Sequence, residues 1–218
     1  MTQRVSYQFI RLIPFFTVIA LATSIASSAF SLTKSNSVQT YQLDPKQSHI
    51  TFETTQNGAP FTGSFTRFTA DIHFDAKQLA NSMIQAEVDL TSVTTAHADT
   101  TNALAGPEWF DSKTIPKATF KSTKITASTE VNQYIAEGTL TIKNISKSVK
   151  IAFSLNQPEQ NKGISVKPSP LIGTAQWTLK RQNYHIGTGE WEKSSTIGSD
   201  VIVRCQFYAT PITKHASR

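Results

Sequence analysis

Residues 68–74 read FTADIHF, with Phe68, Ala70, Ile72 and Phe74 alternating against Thr69, Asp71 and His73. A period of two sends successive side chains to opposite faces of a strand, here one apolar and one wet. The pattern continues outward in both directions. HITFETT (49–55) sets Ile50 and Phe52 against Thr51 and Glu53, and MIQAEVDLTSV (83–93) aligns Ile84, Ala86, Val88 and Leu90. YIAEGTLTIKN (134–144), KSVKIAFSL (147–155), LIGTAQWTLKR (171–181) and DVIVRCQFYATPI (200–212) repeat it. Short alternating strands at fairly regular spacing predict an all-β sandwich or barrel.

The punctuation agrees. QNGAP (56–60), KNISKS (143–148), PEQNKG (158–163) and GTGE (187–190) carry turn chemistry between the strands. DAKQLANS (75–82) supplies one turn or so of helix. TTAHADTTNALAG (94–106) predicts a short helix with a Thr cap, stopped by Gly106 and Pro107. There is no βαβ rhythm. Many strands with one alternation predict an antiparallel sheet curling on itself, because closure removes exposed edges. A barrel of about eight strands encloses room for one ligand. The chain holds 13 Phe, 5 Tyr and 3 Trp, more than a small barrel needs as plugs, so the lining is expected to suit an apolar guest.

The N-terminus reads differently from the rest. Arg4 and Arg11 precede the uncharged stretch LIPFFTVIALATSIASSAF (12–30), which ends in small residues. Ser24 before Ala26 and Ser27 before Ala29 each make a small-x-small cleavage site, so residues 1–29 are expected to be a signal peptide. A retained membrane anchor is the rival reading. Residues 30–40 read as a polar linker, and 41–212 as the barrel domain.

The net charge of +6 is scattered rather than clustered, which argues against nucleic-acid binding. The only cysteine, Cys205, excludes an internal disulfide. It alternates with Val201, Val203 and Phe207, as a small core hydrophobe would.

Catalytic and metal-binding readings are thin. No P-loop, dinucleotide fingerprint, nucleophile elbow or zinc spacing occurs. GTGEWEKSSTIG (187–198) reads as a hairpin tip. His97 and Asp99 lie close in sequence but diverge on a helix, so a metal site with His185 would depend on the fold. In GPEWFDSKTIPKATF (106–120), Glu108 and Asp111 could form an acid–base pair. Trp109 and Phe110 intervene, however, and Asp111 suits an Asx-type turn. The aromatics of this stretch are therefore expected to face inward as an apolar wall, and no catalytic residue is assigned.

Four ordered blocks resemble the YceI-like family. They are YQLDPKQSHITFETTQNGAPFTGSFTRFTADIHFD (41–75), VDLTSVTTAHADTTNALAGPEWFDSKTIPKATFKSTKI (88–125), EGTLTIKNISKSVKIAFSL (137–155) and LKRQNYHIGTGEWEKSSTIGSDVIV (179–203). The resemblance implies a lipocalin-like antiparallel barrel with one or two short helices, exported in bacteria. Its cavity would hold a polyprenol, polyprenyl phosphate or quinone, and it would have no catalytic activity or further cofactor. GTGEW is similar to members associated with b561-type membrane cytochromes, which implies an accessory redox role as the alternative. A homodimer is compatible with either role.

Where the family often has His before Ser, this chain has Gln47-Ser48, with His49 one place on. A one-residue shift reverses the strand face, so a headgroup role does not pass to His49. Asn144 and Tyr184 stand where Gly and Phe are common in the family. The expected ligand-binding set is Phe52, Phe61, Phe65, Phe68, Leu90, Trp109, Phe110, Phe120 and Trp177. Arg67, His97, Asp99 and Arg181 are expected near a headgroup, an arginine being suited to phosphate.

Overall fold

The computed structural model describes residues 38–156, 169–193 and 195–212. The expected signal peptide, the rival anchor and the PEQNKG turn lie outside them. Eleven strands follow in chain order. The first six are β1 (Gln39–Leu43), β2 (His49–Gln56), β3 (Ala59–Phe65), β4 (Phe68–Phe74), β5 (Met83–Asp89) and β6 (Val93–Thr95). One helix, α1 (Ala98–Leu104), comes next. Then come β7 (Lys117–Ala127), β8 (Gln133–Ile142), β9 (Ile145–Asn156), β10 (Leu171–Lys180) and β11 (Asp200–Pro211). Gln39 and Thr40, assigned to the linker from sequence, already belong to β1.

All pairings are antiparallel, and β1 closes the ring by pairing with both β4 and β11. The result is the expected closed eight-strand barrel. Its staves are of two kinds. Strands β7 to β11 each run as one piece, whereas β1–β2, β3–β4 and β5–β6 are staves broken in the middle. Thus β2 and β1 pair in succession along one edge of β11, at residues 202–206 and 209–211. Likewise β3 pairs with β2 and β6, and β4 pairs with β1 and β5.

The breaks are hydrogen-bonded across the wall. Ser48 is buried, and its Oγ donates to the Asp44 carbonyl (2.7 Å) while accepting from the Tyr208 N–H (3.0 Å). Ser92 Oγ accepts from the Arg67 N–H (3.0 Å) and donates to the Asp89 carbonyl (2.6 Å). A backbone group that leaves the ladder must find another partner, and short hydroxyl side chains at the bends supply one.

Two tight hairpins carry the turn chemistry their sequences promise. Asn57 and Gly58 between β2 and β3, and Lys143 and Asn144 between β8 and β9, all have positive φ. Paired positive φ values match the twist of the flanking strands, and Asn and Gly tolerate them best. DAKQLANS contributes a single 3-10 turn at Leu79–Asn81. In α1 the cap position is His97 rather than a threonine. Thr95 instead braces the approach, its Oγ1 accepting from the His97 N–H at 3.3 Å.

A two-compartment apolar lumen and its roof

The alternating inner face leaves space rather than filling it. An outer compartment of about 380 Å³ lies under α1 and the loops joining β7 and β11 to the barrel. An inner compartment of about 140 Å³ lies deeper, among side chains of β1, β2, β4, β5 and β7 to β11. Ile50, Val88, Ala118, Leu140 and Trp177 border both, so the two compartments adjoin across these side chains.

Aromatic rings shape the outer compartment. Phe52 packs on Phe65 (5.6 Å between centroids), which meets Phe110 edge-on at 5.6 Å. Phe52 can lie flat against the wall because its cross-strand partner is Gly63, where any Cβ would collide with the ring. Phe61, Leu90, Trp109 and Trp177 complete the expected apolar lining. Phe120 borders the inner compartment. Phe68 is buried in the core and borders neither. Several lining residues were missing from the expected set, among them Leu179, Val201, Val203, Ile186, Ile197 and Trp191. The strand alternation placed the first three inward. The last three sit in a loop whose path no local pattern reveals.

The expected polar residues have different fates. Arg67 lies outside the barrel, where Asp89 Oδ2 (2.9 Å) and Thr91 Oγ1 (2.6 Å) accept its hydrogen bonds. Asp89 is held below the usual carboxylate range, first by the Thr91 hydroxyl and then by Arg67. His97 is exposed at the cap of α1 and does not reach the lumen. Asp99 lies at its rim. Among the described residues no three His, Cys, Asp or Glu side chains converge to hold a metal. His49 is exposed on β2, consistent with the reversed face read from sequence.

Arg181 borders the outer compartment but does not offer its charge to it. It is 1 % exposed, and its five N–H groups go to backbone carbonyls. Nε donates to Gly198, one terminal nitrogen to Ile186 and Gly187, and the other to Trp191 and Ile197. Burial pulls its pKa down, and Glu192 partly opposes this. The expected phosphate contact is thereby corrected: the guanidinium is saturated by the loop it organises.

That loop, read from sequence as a hairpin tip, folds over the barrel as a roof. It joins β10 to β11 through 3-10 turns at Arg181–Tyr184 and Gly189–Glu192. Trp191 borders the lumen and packs against Trp109 (5.8 Å between centroids). Its Nε1 donates to Glu108 Oε2 at 3.0 Å. Lys143 at the β8–β9 turn clamps the same region, donating to the carbonyls of Pro107 (2.8 Å) and His185 (3.0 Å). Glu108 thus serves the roof. Asp111 adopts positive φ, and its backbone carbonyl, rather than its side chain, accepts from Thr114 and Ile115. This corrects the Asx-type turn expected there.

Comparison with known proteins agrees with the architecture. The family model described as YceI-like domain matches residues 41–209. A UPF0312 protein of Vibrio parahaemolyticus is 32% identical over 114 residues, covering 51% of this chain and 60% of that protein. The chain thus matches about 60% of the length of such curated relatives. The crystal structure of BcnA from Burkholderia cenocepacia superposes with a TM-score of 0.70 at 28% identity, covering 77% of this chain and 99% of that one. A polyisoprenoid binding domain from Saccharophagus degradans, implicated in plant cell wall breakdown, has the same fold. Its TM-score is 0.60 at 14% identity, with 79% and 98% coverage.

Proposed function

This chain belongs to the YceI-like family, and from that premise we propose that its barrel binds an isoprenoid lipid and carries or sequesters it. The observation that carries the reading is the barrel interior itself: two adjoining, aromatic-walled compartments, the inner of which presents no charged side chain. An apolar chain gains about 25 cal/mol per Å² of surface removed from water, before the cost of ordering it. A wall of this composition therefore needs no strong polar anchor. The similarity to a polyisoprenoid binding domain supports the same ligand class.

The reading is of a binding protein rather than an enzyme. Of the Glu108/Asp111 pair that a hydrolase would use, Glu108 accepts a hydrogen bond from Trp191 Nε1. Residues 1–29 would direct export, placing the barrel in the periplasm. A quinone's prenyl tail would fit the same lumen, and an accessory role beside a b561-type cytochrome would use that fit.

The decisive experiment is mass spectrometry of organic extracts from protein purified from its native host. Co-purified prenyl lipid in near-stoichiometric amount supports the reading, and lipid-free protein that also fails to take up added prenyl lipid overturns it. The intact mass of the same sample locates any signal cleavage.

A further inference from the structure

The inner compartment is open because of alanine. Ala70, Ala86, Ala118, Ala136 and Ala175 border it, one each from β4, β5, β7, β8 and β10. Ala70 and Ala86 face each other across the β4–β5 pair, and Ala118 lies opposite Val88 across β5–β7. The inward positions flanking them carry bulkier side chains, such as Phe68 and Ile72 around Ala70 or Ile84 and Val88 around Ala86. Protein interiors are otherwise close-packed, with few voids larger than a water molecule. Single-carbon side chains on five strands keep this one open.

The space also has a floor. At the end of the barrel opposite the roof, Phe74, Tyr134 and Phe153 form a buried cluster. Tyr134 stacks on Phe153 (5.3 Å between centroids), and Phe74 stands edge-on to Tyr134 (5.1 Å). Phe153 borders the compartment, and the other two rings pack against it from behind. A tail end that reaches this cluster meets close-packed rings.

The volumes set a scale. An apolar cavity of about 150 Å³ accommodates one six-carbon ring. By that measure the inner compartment takes about one five-carbon isoprene unit, and the outer, at about 380 Å³, takes about two to three.

We infer that the inner compartment fixes the length of prenyl tail the barrel holds: its alanines admit the terminal isoprene unit, its aromatic floor stops the chain, and about four units are enclosed in all. Any further length of tail stays outside the roof and adds little. This length limit rests on the carrier reading and assigns the residues that set it.

The test is a series of prenyl alcohols: geraniol, farnesol, geranylgeraniol, geranylfarnesol and solanesol, whose tails rise from two isoprene units to nine. Each is titrated into delipidated full-length protein, with binding read by native mass spectrometry. Affinity is expected to rise about tenfold per unit up to about four units, and less than about twofold per unit beyond. Ala86→Leu and Ala175→Val each fill part of the inner compartment. Both are expected to weaken geranylgeraniol about tenfold while leaving geraniol, which the outer compartment holds alone, within about twofold. Ala175→Val is the smaller filling and serves where Ala86→Leu fails to fold. Affinity that climbs steadily through solanesol, or a break outside three to five units, overturns the length limit and leaves the carrier reading standing. So do fillings that leave geranylgeraniol unchanged or weaken it no more than geraniol. Failure of every alcohol to bind the parent protein overturns the carrier reading instead.

Discussion

Nε1 of Trp191 donates to Oε2 of Glu108 across 3.0 Å, tying the β10–β11 loop to the segment that precedes β7. Both residues belong to the roof of the lumen, and the bond is exposed. Its loss should therefore alter ligand exchange more than stability. Glu108→Ala is expected to speed release of a bound polyene several-fold, with an unfolding free energy within about 1 kcal/mol of the parent. Glu108→Gln retains an acceptor oxygen and should release at nearly the parent rate. Stopped-flow dilution into acceptor vesicles reads the rate. Unchanged release in Glu108→Ala would remove the latch.

Arg181 is the opposite case, a buried cation whose partners are all carbonyls. Replacing it with Met would leave the carbonyls of Ile186, Gly187, Trp191, Ile197 and Gly198 without this donor. Each buried group left unsatisfied costs about 1–3 kcal/mol, with some relief from water, so a total loss of about 3–5 kcal/mol is expected. Urea denaturation measures it. Arg181→Lys, with fewer donors and no planar fork, should recover only part. Full recovery by Lys would show that charge alone matters there.

Gly63 faces the ring of Phe52 across the β2–β3 pair. In Gly63→Ala the new methyl must push that ring toward the lumen. Destabilisation of about 1–3 kcal/mol is expected, as for other overpacked sites, together with reduced capacity for prenyl lipid. The paired change Gly63→Ala with Phe52→Leu should restore part of both. Lipid stoichiometry by mass spectrometry and thermal unfolding are the readouts.

Cys205 is half-buried at the border of the inner compartment, and desolvation pushes its thiol up to about 12 from an ordinary 9.0. The folded protein therefore holds the proton where the unfolded chain has lost it. Stability from this group is fully present below pH 9 and declines as pH rises toward 12. A Cys205→Ala variant should show a shallower fall in unfolding free energy across that window. At pH 8 the thiolate fraction is about a thousandfold below that of a free cysteine, so labelling by bromobimane should be slow in native protein and fast in urea. Fast native labelling would contradict the burial.

How much of this was legible in the sequence follows from the range of the interactions involved. The strands were legible because their signal is local: FTADIHF or YIAEGTLTI presents an apolar face within a few residues. The hairpin turns at Asn57-Gly58 and Lys143-Asn144 were equally local, being set by which side chains tolerate positive φ. The apolar wall at Phe52, Trp109 and Trp177 followed from the same alternation and from the order of GPEWFDSKTIPKATF.

The charged residues were not legible, since a charge is assigned by its partners. Arg67 and Arg181 look alike in sequence, yet one lies outside the barrel beside Asp89 and the other is buried among loop carbonyls. Trp191 was hidden because its glycine-flanked loop has no periodicity to place it.

The sequence by itself determined a closed antiparallel barrel with a greasy inner face, because a two-residue period and turn chemistry act within single strands and hairpins. Only the tertiary structure decided where three staves bend and that the interior holds two adjoining compartments. It also decided that Arg181 is sealed within its own loop. Those features depend on groups far apart in the chain, Ser48 with Tyr208 and Arg181 with Ile197, and hydrogen-bond satisfaction is settled only when such groups meet.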